Sequence, residues 1–144
     1  MRGSLIGALG MLVSACGAGP APSTAVAPAA VACTPGDTAL VRDVVYFGRN
    51  RPTGGTVSDA DWERFLAEVV TPRFPAGLTV VDATGQWRGE SGAVERERSE
   101  IVTVFHGGDA ASRRAVAEIA AEYKIRFQQE AVLRERAATC ARFE

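Results

Sequence analysis

The sequence predicts a ferredoxin-like α+β sandwich, a four-stranded antiparallel sheet with two helices on one face. Two observations carry this expectation. Past residue 38 the chain alternates β-branched runs with helical periodicity in the order strand, helix, strand, strand, helix, strand. Cys33 precedes the first strand and Cys140 follows the last. In this topology the first and last strands are antiparallel neighbours, so both cysteines fall at the same end of the sheet.

Residues 39–47, "ALVRDVVYF", are β-branched and aromatic and stop at Gly48, which predicts the first strand. "RNRPTGGTV" is a loop. Ser58 with Asp61 three residues later signals a helix start, and Trp62, Phe65, Leu66, Val69 and Val70 follow at helical spacing until Pro72 and Pro75 end the run. "LTVVDA", 78–83, is the second strand. A polar stretch with a turn at Gly89 to Gly92 leads to the third, "IVTVFH", 101–106. Asp109 caps a second helix whose apolar stripe is Val116, Ile119, Ala120, Tyr123 and Phe127. "AVLRE", 131–135, is the last strand, leading towards Cys140.

Two helices cover only one face of such a sheet. On the first strand Val44 and Tyr46 oppose Val45 and Phe47, and on the third Ile101 and Phe105 oppose Val102 and Val104, so the second face is also apolar. It therefore needs a partner: a homodimer packed sheet to sheet, a cavity for an apolar ligand, or partial cover by the tether or the long hairpin.

The N-terminus reads as an export signal. Arg2 is followed by a short apolar stretch from Leu5 to Val13, too short to cross a bilayer, where about 20 residues are needed. The run ends Val13-Ser14-Ala15-Cys16, which resembles the lipobox of bacterial lipoproteins. That resemblance implies a signal peptide over 1–15, a diacylglyceryl group on Cys16 and, with Gly17 following, an outer-membrane anchor facing the periplasm. An ordinary secretory signal with an incidental Cys16 is the alternative, Ala30-Val31-Ala32 offering a distant cleavage site. Residues 16–37 then form an Ala/Pro-rich tether carrying one charge, Asp37, ahead of a single domain over 38–144. In an oxidising compartment Cys33 and Cys140 are expected to form a disulfide, with two unpaired thiols as the alternative that export disfavours.

The 144 residues carry 16 basic and 17 acidic side chains, a balance without the basic excess of a nucleic-acid binder. Lys124 is the one lysine, an arginine bias consistent with a GC-rich genome. There is no phosphate-binding glycine loop, paired-histidine motif or C-x-x-C, and "GESGA" around Ser91 fails the nucleophile-elbow spacing. No cofactor and no metal is expected.

"YFGRN", "VSDADWERFLAEVVTPRFPAGLTVVDATGQWRG" and "YKIRFQQEAVLR" together resemble the bacterial family catalogued as domain of unknown function three-five-seven-four. The resemblance spans roughly Cys33 to Phe143. At Gly107-Gly108-Asp109 the chain departs from the family, where a proline follows the histidine. The resemblance implies a short chain preceded by an export or lipoprotein signal. It brings no catalytic residues.

Strand directions place Tyr46, Arg49, Gln86, Trp87, Arg88, Gln128, Gln129 and Glu130 at one end of the domain, with His106 at the other, near the disulfide. Tyr46, Arg49, Trp87, Arg88, Gln129 and His106 are therefore the candidate ligand-binding residues, the arginines suiting a carboxylate or phosphate. The structural alternative pairs Arg49 and Arg88 with the acidic residues of "ERERSE", uses Trp87 to pack the hairpin, and bonds His106 to nearby backbone. The expected function is a membrane-anchored envelope lipoprotein whose domain binds a ligand or protein partner. The alternative is a small cofactor-independent enzyme of the dimeric α+β barrel kind.

Overall fold

The computed structural model describes residues 31–88 and 92–144. The expected export signal, Cys16 and most of the expected tether lie outside these, as does most of the predicted Gly89 to Gly92 turn. The elements are β1 (Thr38–Gly48), α1 (Asp59–Phe65), β2 (Thr79–Arg88), β3 (Val94–His106), α2 (Ala110–Phe127) and β4 (Leu133–Ala141). The strands form one four-stranded sheet in the order β2-β3-β1-β4, with every neighbouring pair antiparallel. This is the expected ferredoxin-like order, and both helices pack on one face.

The Ser58 side chain accepts the Asp61 N–H and starts α1. At Leu66 the α-helix gives way to a wider π turn, Leu66–Val70, and then to a short 3-10 turn. Pro72 explains the change, because it has no N–H for the Glu68 carbonyl and its ring crowds that carbonyl. The Thr71 N–H reaches back to Leu66 instead. Trp62, Phe65, Val69 and Val70 all end up buried. Asp109 caps α2 as expected, accepting the Ser112 N–H at 2.9 Å, and Gln128 ends the helix in the left-handed conformation.

Val45 and Phe47 of β1 and Val102 and Val104 of β3 meet Trp62, Phe65, Val70, Val116, Ile119, Tyr123 and Phe127 in one core. Its centre is aromatic, with Phe47, Phe65 and Tyr123 in edge-on contact at centroid separations of 4.7–5.8 Å. At the far end of the sheet a disulfide joins Cys33 to Cys140, with Cα atoms 5.6 Å apart.

Three strands differ in extent from the sequence reading. β2 runs on to Arg88 and β3 begins at Val94, so the stretch read as a polar loop is a paired hairpin with Trp87 opposite Glu95 and Gly85 opposite Glu97. "ERERSE" has strand periodicity in charge rather than in hydropathy: Glu95 and Glu97 share the open face, while Arg96 and Arg98 share the helix face. β4 lies two residues or more later than expected and runs through "RERAATCA". It is an edge strand, paired only with β1, and its small and charged residues give no apolar signal.

Candidate functional site

Strand register builds a trench into the open face. One row across the sheet places Val81, Ile101, Tyr46 and Leu133 side by side. The next row on the same face is Ala83, Ser99 and Gly48, and beyond it Gly85 faces Glu97 and Trp87 faces Glu95. A row of small residues between two rows of large ones leaves a groove of about 370 Å³, lined among others by Tyr46, Gly48, Trp87, Glu97, Ser99 and Gln129. That volume is within the range of small-molecule sites.

The floor is held from both sides. From the helix layer, the buried Tyr123 hydroxyl donates to the Gly48 carbonyl at 2.9 Å, and burial pushes this phenol's pKa above its ordinary value. From the open face, the Glu97 carboxylate occupies the space a Gly48 side chain would need, and it accepts the Asn50 N–H at 3.0 Å. Gln129 donates to the Asn50 carbonyl at 2.7 Å, so the rim loop is tied at two points.

Of the six candidate ligand-binding residues, Tyr46, Trp87 and Gln129 come together in this groove. Arg49 does not. It points into the helix side, 2% exposed, donating to Glu100 at 2.5 Å, Asp59 at 2.8 Å and the Val57 carbonyl at 2.9 Å. Its partner Glu100 belongs to "ERERSE", so this arginine follows the structural alternative. Alternation on β1 explains the placement, since Arg49 shares parity with Phe47. Burial raises the pKa of Glu100 against the pull of Arg49. Arg98 bridges Asp59 and Asp82, 2.7 Å from each; it lowers the Asp82 carboxyl, while the Asp59 carboxyl is lowered first by the hydrogen bond from Arg49 and then by Arg98. A second cavity, about 300 Å³, borders Arg49, Asp59 and Arg98, whose charges are met within the network they form with Glu100 and Asp82.

Arg88 also lies outside the groove, its guanidinium donating to the Gly92 carbonyl at 2.6 Å across the hairpin end. His106 is buried on the helix face at the disulfide end. Its Nε2 is 2.7 Å from Asp43, and its Nδ1 accepts the Gly108 N–H at 2.9 Å, which makes Nε2 the protonated nitrogen. Arg136 from β4 holds the same Asp43 carboxylate at 2.9 Å. Both ring nitrogens are thus engaged by the fold, and His106 does not line the groove.

Sequence reasoning missed Glu95, Glu97 and the glycine floor. The signal was available in the alternating "ERERSE", which as a strand projects its two first glutamates onto the face of Ser99 and Ile101. Among the described residues no cluster of His, Cys, Asp or Glu could hold a metal ion.

The fold has solved counterparts. A phage SAM lyase in complex with S-methyl-5'-thioadenosine is 17% identical, with a TM-score of 0.57 over 76% of this chain and 92% of that one. A phage SAM lyase in its apo state is 16% identical, with a TM-score of 0.52 over 81% and 98%. These likenesses establish the fold. No curated protein sequence matches the chain. A family model matches residues 42–143, from β1 to the end of the domain, and the chain accordingly belongs to the family described as Protein of unknown function (DUF3574).

Proposed function

We propose that the chain is an exported, lipid-anchored protein of the bacterial envelope whose α+β domain holds a small organic ligand in the open-face groove. The observation that carries the ligand half is the row Ala83, Ser99 and Gly48, which lowers the sheet surface between Tyr46 and Trp87. A sheet face meant only to be covered has no use for a floor of small residues held rigid from behind. The anchor half is supported by the lipobox-like run ending at Cys16 and by the Cys33–Cys140 disulfide, a bond suited to an oxidising compartment.

Native mass spectrometry of the full chain, extracted from its host's membranes in mild detergent, tests both halves. The expected result is a diacylglyceryl mass that Cys16→Ser lacks, and a bound small molecule that Gly48→Val loses. An unlipidated protein overturns the anchor, and a ligand-free one overturns the groove.

A second reading, a cofactor-independent enzyme, is favoured by the shared fold of the phage SAM lyase that holds S-methyl-5'-thioadenosine. Incubating the protein with SAM and following release of S-methyl-5'-thioadenosine decides it. Release that Gly48→Val abolishes supports catalysis in the groove, and its absence over hours leaves the binding role.

A further inference from the structure

We infer that the groove selects a positively charged, flat aromatic ligand, its ring against Trp87 and its charge met by Glu95 and Glu97. The inference rests on the groove being a ligand site and adds the chemistry of the occupant.

Charge accounting carries it. Among the described residues, seven carboxylates are buried or half-buried: Asp37, Asp43, Asp61, Glu95, Glu97, Glu100 and Glu122. Five of them are paired with an arginine: Asp37 with Arg142, Asp43 with Arg136, Asp61 with Arg51, Glu100 with Arg49 and Glu122 with Arg126. Glu95 and Glu97 have no ion-pair partner, and both line the groove. Removing carboxylates partly from water without a counter-ion is unfavourable, so a cation arriving there gains what a paired site would already have spent.

The one arginine on the rim does not cancel them. Arg51 lies over the Phe127 ring, 5.4 Å from its centroid, and reaches Asp61 at 3.4 Å, so its charge is committed to the helix side. Trp87 supplies the aromatic surface. It stays 37% exposed and is cross-strand partner to Glu95, while Gly85, two residues earlier on the same face, has no side chain and is approached by the Ser99 hydroxyl. An indole face next to a carboxylate is a recognition element for onium groups, with the ring quadrupole and the anion acting in the same sense. Two of the donors at the rim are turned away from an anionic ligand: the Asn50 N–H is taken by Glu97, and the Gln129 amide by the Asn50 carbonyl.

The test compares N-methylquinolinium with quinoline, two flat probes of nearly equal size that differ in permanent charge, by isothermal titration of the purified chain at neutral pH. The expected result is at least tenfold tighter binding of the quinolinium, a preference that narrows with added salt. Glu95→Gln/Glu97→Gln should equalise the two probes without abolishing binding, and Gly48→Val should abolish both. Equal binding by the natural chain, or a preference that survives the double substitution, overturns the charge assignment and leaves the groove intact. No binding of either probe at millimolar concentration overturns the groove as well.

Discussion

The Glu97 carboxylate sits over Gly48 in the volume that any other residue would fill with its Cβ, while Tyr123 bonds the Gly48 carbonyl from the opposite side of the sheet. Gly48 has an ordinary strand conformation, so its lack of a side chain serves the close approach rather than the backbone. Alanine there must push Glu97 aside, and the end of a flexible side chain can move. The expected outcome for Gly48→Ala is a stability loss of about 1 kcal/mol, comparable to the Asn50–Glu97 hydrogen bond it endangers, together with at least tenfold weaker occupancy of the groove. Urea unfolding and probe titration on the same preparation separate the two effects.

The two tryptophans predict opposite phenotypes. Trp62 is 6% exposed and packs on Phe47 and Phe65, at centroid separations of 5.4 and 5.8 Å. Trp62→Ala should cost about 3–5 kcal/mol by cavity formation. Trp87 stands on the hairpin away from the core, so Trp87→Ala should leave unfolding within about 0.5 kcal/mol of the natural chain while removing the aromatic wall of the groove. Chemical denaturation followed by circular dichroism reads both, without relying on the fluorescence that the substitutions alter.

Arg49 and Glu100 are each about 3% exposed at the side chain, and each of the three guanidinium nitrogens of Arg49 donates to a fixed partner. Truncating either residue strands a charge in the interior, so Glu100→Ala is expected to destabilise by about 3–5 kcal/mol. The double replacement Arg49→Met/Glu100→Leu removes both charges and should recover most of that loss. Urea midpoints for the two singles and the double complete the cycle, and a double as unstable as the sum of the singles would mean the pair matters chiefly through Asp59 and Val57.

Acid should unfold the domain through carboxylates that the fold holds ionised. Hydrogen bonds from the Ser112 hydroxyl and N–H bring the Asp109 pKa down to about 2. Burial works to raise the Asp43 carboxyl, but Arg136 and His106 outweigh it and leave it below the ordinary value. A group depressed in the folded state stabilises above its unfolded pKa, and that stability is lost as pH falls through the folded one. For Asp109 the loss lies between about pH 4 and pH 2. Glu100, raised by burial, acts in the opposite sense and weakens the fold as pH rises past its ordinary value. Melting temperatures from pH 7 to 2 should therefore fall below pH 4. Asp109→Asn, which keeps the cap but cannot titrate, should flatten that limb.

The fold was legible wherever packing imposes an apolar period. β1, the core half of β3 and the stripe of α2 bury the residues their spacing assigns to the core. The outer hairpin and β4 were not legible in the same way, because strands beyond the helix layer bury little and carry charge or small residues instead. The same cause hid half of the site. Tyr46, Trp87 and Gln129 stood out as large polar or aromatic groups near one end, whereas the groove itself comes from Gly48, Gly85, Ala83 and Ser99. Their smallness acquires meaning only when register sets them in rows. Arg49 misled because a two-fold alternation, followed one residue past the end of β1, sends it to the core rather than to the open face.

The disulfide links the beginning and the end of the domain across a separation of 107 residues, yet in the folded chain its partners sit where β1 and β4 already pair, with Ala39 opposite Cys140. Reduction therefore breaks no core contact, and the reduced protein should remain folded. Its benefit lies in the unfolded chain, where closing so long a loop is worth about 4–5 kcal/mol on the chain-entropy account. The Asp37–Arg142 ion pair spans the same end of the sheet and contributes little by itself, because its arginine is largely exposed. The expected result is a large drop in urea midpoint on adding reductant, matched by Cys33→Ser/Cys140→Ser, with an unchanged folded-state circular dichroism spectrum. A double variant as stable as the oxidised chain would mean that the β1–β4 ends stay together after unfolding, and the loop would then have no entropy to lose.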